Sequence, residues 1–156
     1  MTSPSSPTPE RGRALRVIAG LGPRGWADLA VALAELARAR FALRRRPARD
    51  LLAQGQARPV APRHDPALVA RVAYAVPRVA ARLPWRADCW VQALAAQRWL
   101  HRHGVATDLF IGVRRDRAPG FEAHAWLRCG HATVTGGDFS GFVPLVTPAT
   151  PMGPAR

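Results

Sequence analysis

Lysine is absent from this sequence: all 23 of its basic residues are arginine. Acidic residues are also scarce, and the 10 that are present leave a formal net charge of +13. Such a surplus suits an acidic peptide or protein as well as a nucleic acid. Apart from short runs at 44–46 and 114–115, the arginines are scattered and are not interleaved with aromatic residues. This pattern argues against nucleic-acid binding.

Long apolar runs and clustered cysteines are missing as well. No stretch approaches the roughly 18 apolar residues that a membrane span needs, and the Ser/Pro/Thr-rich start does not resemble a signal peptide. We therefore expect a cytoplasmic protein that does not contact a membrane. Cys89 and Cys129 are then expected to be reduced. Because no Cys-x-x-Cys or paired-histidine pattern accompanies them, and no Gly-rich phosphate loop is present, we expect no metal and no cofactor.

The length of 156 residues indicates one domain with one core. Residues 1–22 are rich in proline and serine and are expected to be disordered, as is the Pro-rich tail at 148–156. We predict a single domain over residues 23–147, and its N-terminal part, 23–54, forms a helical extension.

Hydrophobic periodicity changes once along the chain, from helical to strand-like spacing. It predicts helices over residues 24–46, 48–54, 66–82 and 88–103. Pro77 is expected to kink or split the third of them. Alternating apolar residues after Gly104 predict strands over residues 105–113, 121–129, 132–135 and 142–146. Helices followed by an antiparallel meander are typical of an α+β fold.

The first predicted helix carries five large apolar side chains at helical spacing: Trp26, Leu29, Leu33, Leu36 and Leu43. Asp28 and Glu35 interrupt this apolar run. The two carboxylates argue against insertion of the helix into a membrane.

Cys89 and His124 are the residues with the clearest chemical meaning. Cys89 directly follows Asp88, a plausible N-cap, so its thiol lies at a helix start, where free backbone N–H groups favour a thiolate. His124 lies 35 residues later, in a predicted strand, and a neutral imidazole can take the thiol proton and return it to a leaving amine. Each residue alone is also compatible with a structural role, as a buried cysteine or a half-exposed histidine.

The remaining candidates are weaker. Asp138 would orient the imidazole as the third member of a triad, although Gly136-Gly137-Asp138 is equally typical of a turn. Cys129 lies five residues after His124 on the same predicted strand, so its side chain points to the opposite face and is expected in the core.

Taken together, several segments of the chain resemble one family. They are Asp88-Cys89-Trp90-Val91-Gln92-Ala93-Leu94-Ala95, Ile111-Gly112-Val113 and Ala123-His124-Ala125-Trp126. These motifs closely resemble the lasso peptide biosynthesis B2 proteins, a transglutaminase-like family of cysteine leader peptidases. The resemblance implies a papain- or transglutaminase-like α+β fold with Cys89 as nucleophile and His124 as base. The position where the family usually has aspartate holds Gly136 here, and Asp138 is the nearest candidate.

The resemblance also implies a function. Such an enzyme removes the leader from a ribosomally synthesised lasso peptide precursor, and a separate lasso cyclase then uses the freed amine of the core. A separate leader-recognition protein of the B1 type is the implied partner. Two alternatives stay open: a transglutaminase-like acyltransferase, which would use the same residues, and an arginine-rich peptide- or RNA-binding module without enzymatic activity.

Overall fold

The computed structural model describes residues 22–56, 63–115 and 121–149. Within these ranges four helices precede four strands, as predicted. The helices are α1 (Pro23–Arg45), α2 (Ala48–Gln56), α3 (Pro66–Ala80) and α4 (Cys89–Arg102). The strands are β1 (Asp108–Arg115), β2 (Phe121–Cys129), β3 (Ala132–Thr135) and β4 (Val143–Val146). The tails predicted to be disordered lie, apart from Gly22, Pro148 and Ala149, outside the described residues.

Local signals place the helix ends. The Asp65 carboxylate accepts a hydrogen bond from the Leu68 N–H at 2.9 Å at the start of α3, and Asp88 caps α4 in the same way. Side-chain caps of this kind satisfy backbone donors that have no partner within the helix. Helix α3 continues past Pro77 to Ala80, so Pro77 does not split it, and the kink offered as the other possibility stays a prediction. Pro77 lies in the last turn, where only a few helical residues follow it.

The sheet departs from a simple meander. Strands β1, β2 and β3 are consecutive antiparallel neighbours, but β4 returns to pair with the free side of β1, which gives the order β3-β2-β1-β4. This is the strand order of a Greek key. The predicted meander is therefore correct for the first three strands and wrong for the fourth.

The main core lies between the helices and one face of the sheet. Helices α1, α3 and α4 pack against one another, and α4 also packs against β2. Alternate residues of β2, Ala125 and Leu127, are buried in this core. Trp126 is also buried, but it stacks against Phe110 and Phe139, with ring centroids 5.6 and 5.2 Å away. Consecutive residues of β2 thus contribute to two different clusters.

The buried face of α1 holds two carboxylates as well as apolar residues such as Leu36. Trp26 and Leu33 are 51% and 46% exposed, whereas Asp28 and Glu35 are buried. The carboxylates are buried because arginines of other helices reach them. Arg71 of α3 makes a two-pronged ion pair with Asp28. The surroundings of Glu35 include Arg98 and Arg102 of α4.

Candidate active site

The loop before α4 holds Cys89 in place. Arg40 of α1 donates a hydrogen bond from Nη1 to the Arg86 carbonyl at 2.6 Å, and its guanidinium lies 5.0 Å from the centre of the Trp85 ring. Gln92 donates from Nε2 to the Ala87 carbonyl at 2.8 Å. These contacts join the loop to α1 and to the first turn of α4. They hold Cys89, the first residue of the helix, beside the backbone N–H groups of that turn.

Cys89 and His124 line the same open cavity, which has a volume of about 570 Å³. Helices α3 and α4 form one side of it and β2, β3 and the following turn form the other. Its lining residues are Ala73, Pro77, Cys89, Gln92, His124, Thr133, Val134, Thr135, Gly136 and Gly137. The structure therefore places the thiol and the imidazole that the sequence predicts as catalytic partners in the lining of one cavity.

The His124 ring makes one hydrogen-bond contact and packs near two aromatic rings. Its Nε2 lies 2.6 Å from the Gly136 carbonyl oxygen. A carbonyl can only accept a hydrogen bond, so Nε2 carries the proton in this contact. The ring also packs near Phe142, with centroids 5.0 Å apart, and near Trp126, with centroids 6.1 Å apart. In the neutral ring the lone pair then remains on Nδ1, which is the nitrogen available to act as a base.

Gly136 reaches this position only because it is glycine. Its φ of +105° belongs to a region that side chains disfavour. A Cβ atom there would also lie 2.3 Å from Trp126 Cβ and 2.8 Å from Trp126 Cα. The close approach of this turn to Trp126 thus sets where the Gly136 carbonyl points.

Asp138 occupies a different setting from the predicted one. Its carboxylate accepts a hydrogen bond from the Ser140 N–H at 2.8 Å. Hydrogen bonds from Ser140 lower the pKa of this exposed carboxyl group, and nearby Arg114 contributes in the same direction. Within the described chain the structure does not place Asp138 in hydrogen-bond contact with His124. The turn reading of Gly136-Gly137-Asp138 fits this geometry.

Cys129 packs against the main core, as predicted from its position relative to His124. Burial raises the pKa of its thiol, and the nearby Asp108 carboxylate raises it further. Cys129 does not belong to the cavity lining. The two cysteines of the chain therefore lie in clearly different environments.

Three polar residues of the cavity were not predicted: Gln92, Thr133 and Thr135. Gln92 follows Cys89 by three residues, so helical spacing places it on the same side of α4, a signal that the sequence contained. Thr135 is buried, and its hydroxyl has no hydrogen-bond partner among the described residues. Nothing in the sequence pattern indicated that this threonine would be buried without a partner.

The described residues contain no group of three or more His, Cys, Asp or Glu side chains that could hold a metal ion. In the same residues, no helix is long and apolar enough to cross a membrane.

Cys89 and His124 thus line one cavity of an α+β fold. A family model described as the transglutaminase-like superfamily matches residues 32–147. The chain belongs to this superfamily, and the predicted fold is confirmed. The superfamily includes cysteine peptidases and acyltransferases. No curated protein and no solved structure matches the chain.

Proposed function

We propose that this protein is a cysteine peptidase that removes the leader peptide from a lasso peptide precursor. The observation that carries the proposal is the placement of Cys89 and His124 in one open cavity. The motifs around these two residues support the choice of substrate, because they resemble those of the lasso leader peptidases.

The reaction proceeds in two halves. His124 takes the Cys89 proton, and the thiolate attacks the carbonyl carbon of the scissile peptide bond. The oxyanion that forms is stabilised by backbone N–H groups at the start of α4, including that of Cys89. The C–N bond then breaks, and the imidazolium returns its proton to the amine of the core peptide. In the second half His124 deprotonates water, and the hydroxide attacks the carbonyl carbon of the thioester. The C–S bond breaks, the leader leaves as a carboxylic acid, and the Cys89 thiolate recovers its proton from the imidazolium.

A matched set of variants tests the nucleophile. Cys89→Ala should abolish cleavage of a lasso precursor peptide that the wild type cleaves, measured by mass spectrometry of both fragments. Cys129→Ala serves as the control and should retain cleavage. Activity of Cys89→Ala above a few per cent of the wild-type rate would contradict the assignment.

Family membership also favours acyl transfer as a second candidate function, since the same thioester can react with an amine instead of water. Cleavage in the presence of glycine ethyl ester separates the two reactions. A peptidase yields the free acid of the leader, whereas an acyltransferase yields the amide, and the two products differ in mass. A binding module without activity would cleave nothing, and any salt-sensitive RNA affinity would survive Cys89→Ala.

We further propose that α1 docks a separate leader-recognition protein. Trp26, Leu33 and Phe41 are large, apolar and exposed on this helix, and the first two lie seven residues apart and so on one face. Exposed arginines follow in the last turn, and the Arg45 guanidinium lies 4.3 Å from the centre of the Phe41 ring. An apolar surface edged by arginine fits a partner with apolar and acidic side chains.

Such a partner would hold the leader near the cavity and raise its local concentration to about the millimolar range. Reversing the charge of Arg44, Arg45 and Arg46 should therefore reduce partner-dependent cleavage more than basal cleavage. Reversal of three exposed arginines elsewhere provides the control: Arg63, Arg78 and Arg82. Equal cleavage with and without the recognition protein would exclude this mechanism.

A further inference from the structure

We propose that the main-chain carbonyl of Gly136, rather than a carboxylate, orients His124. The inference rests on the proposed function in one respect, that His124 is the general base. It assigns the positioning role of a catalytic triad to a backbone atom. Asp138, the side chain predicted for that role, then belongs to the turn and not to the catalytic group.

The hydrogen bond itself is the first observation. A separation of 2.6 Å between Nε2 and the Gly136 oxygen is short for an N–H···O bond. It fixes the proton on Nε2, so the Cys89 proton is received by Nδ1. During the reaction Nδ1 gains and loses this proton, while the other proton stays on Nε2, which donates it in a hydrogen bond to the Gly136 carbonyl.

The second observation is the close packing around the turn that carries the carbonyl. The positive φ of Gly136 and its contact with the Trp126 backbone leave the turn little freedom. Trp126 is itself buried and stacked against Phe139, with ring centroids 5.2 Å apart. The acceptor therefore lies in a rigid part of the structure, and the ring that it orients packs against Phe142.

The third observation concerns Asp138. Its carboxylate already accepts the Ser140 N–H, and the residue is exposed to solvent, outside the cavity lining. An aspartate that orients a catalytic histidine is normally hydrogen-bonded to the ring, and its loss costs about 10⁴-fold in kcat in a serine protease triad. Because the Asp138 carboxylate is hydrogen-bonded to Ser140 instead, we expect substitution of Asp138 to cause a far smaller loss in kcat.

Nitrogen-15 NMR of histidine-labelled protein tests the inference without a substrate. His124→Asn assigns the ring signals. At a pH where the ring is neutral, we expect His124 to hold its proton on Nε2, and this proton should exchange slowly with water because the carbonyl holds it. Asp138→Asn should leave the signal unchanged and should lower kcat/KM by no more than about twofold, far below the triad loss.

Three results would overturn the proposal. In the wild type these are a proton on Nδ1 and a rapidly exchanging Nε2 proton. In Asp138→Asn it is the disappearance of the slow signal. Gly136→Ala should abolish the signal, although its clash with Trp126 threatens folding, so the decision rests on Asp138→Asn. The NMR result is separable from the proposed function. A slow Nε2 proton in a protein that cleaves no precursor would support the carbonyl contact and refute the peptidase.

Discussion

The buried carboxylate of Glu35 gives a stability prediction that the structure makes quantitative. Its side chain is 0% exposed and lies 2.8 Å from Arg38, 3.3 Å from Arg98 and 2.8 Å from Arg102. The last two belong to α4, so this cluster ties α1 to the helix that begins with Cys89. Glu35→Gln keeps the shape and one acceptor oxygen but removes the charge that the three guanidinium groups share.

The expected loss in the free energy of unfolding depends on how far the three arginine side chains are exposed to solvent. Removing one partner of a fully buried ion pair costs about 3–5 kcal/mol, because the other charge is left unpaired. Here the three arginine side chains are 54%, 50% and 44% exposed and can be rehydrated, so the loss must be discounted. We expect Glu35→Gln to lower the free energy of unfolding by about 1–3 kcal/mol.

Asp50→Asn provides the matched control. Asp50 lies 3.5 Å from Arg49, and both side chains are well exposed, at 47% and 64%. Exposed pairs contribute at most about 1 kcal/mol. Urea unfolding followed by circular dichroism measures both variants on the same scale. If Glu35→Gln costs no more than Asp50→Asn, the argument that this cluster holds α1 against α4 is refuted.

Three further predictions concern the cavity and its surroundings. Iodoacetamide should label Cys89 well before Cys129 at pH 7, as followed by peptide mapping. Labelling of Cys129 should still be rising at alkaline pH, because burial raises the pKa of this thiol and leaves less thiolate. Faster labelling of Cys129 would reverse the two assignments. His124→Ala should be as damaging as Cys89→Ala, and the double variant should be little worse, since residues that act as a unit are non-additive; multiplying losses in kcat/KM would show independent roles. Thr135→Val should raise the free energy of unfolding by about 1 kcal/mol, because it removes a buried hydroxyl without a partner; a loss measured in urea would contradict this account.

The sequence predicted the helices and strands well because their ends carry local signals. Asp88 and Gly104 bracket α4, and the structure places the helix between them. It did not show that two carboxylates of α1 are buried. Hydrophobic periodicity treats Asp28 and Glu35 as solvent-facing, whereas their burial depends on arginines distant in sequence. Arg98, for example, lies 63 residues after Glu35. No local pattern contains that information.

The candidate site likewise has one part that the sequence predicts and one part that only the structure shows. A thiol at a helix start and a histidine in a strand are visible in the sequence, because each depends on residue type and local spacing. The Gly136 carbonyl is not visible, since every residue has a carbonyl and only the folded turn shows where this one points. The glycine itself was the available signal, but Gly136-Gly137 indicated a turn and not a hydrogen-bond acceptor for His124.

Contacts with the Trp126 side chain help to explain why two glycines lie close to His124. Gly112 is the β1 partner of His124, and a Cβ atom at Gly112 would lie 2.9 Å from the Trp126 ring and 2.8 Å from the Val143 carbonyl oxygen. A Cβ atom at Gly136 would lie 2.3 Å from Cβ and 2.8 Å from Cα of the same tryptophan. Trp126 therefore requires glycine on two sides, and one of these glycines supplies the carbonyl that contacts the imidazole. The geometry of the His124 ring is thus a consequence of how the sheet accommodates Trp126. A substitution at Gly112 is expected to displace the Trp126 ring or the Val143 backbone, and one at Gly136 is expected to displace the carbonyl that contacts the imidazole.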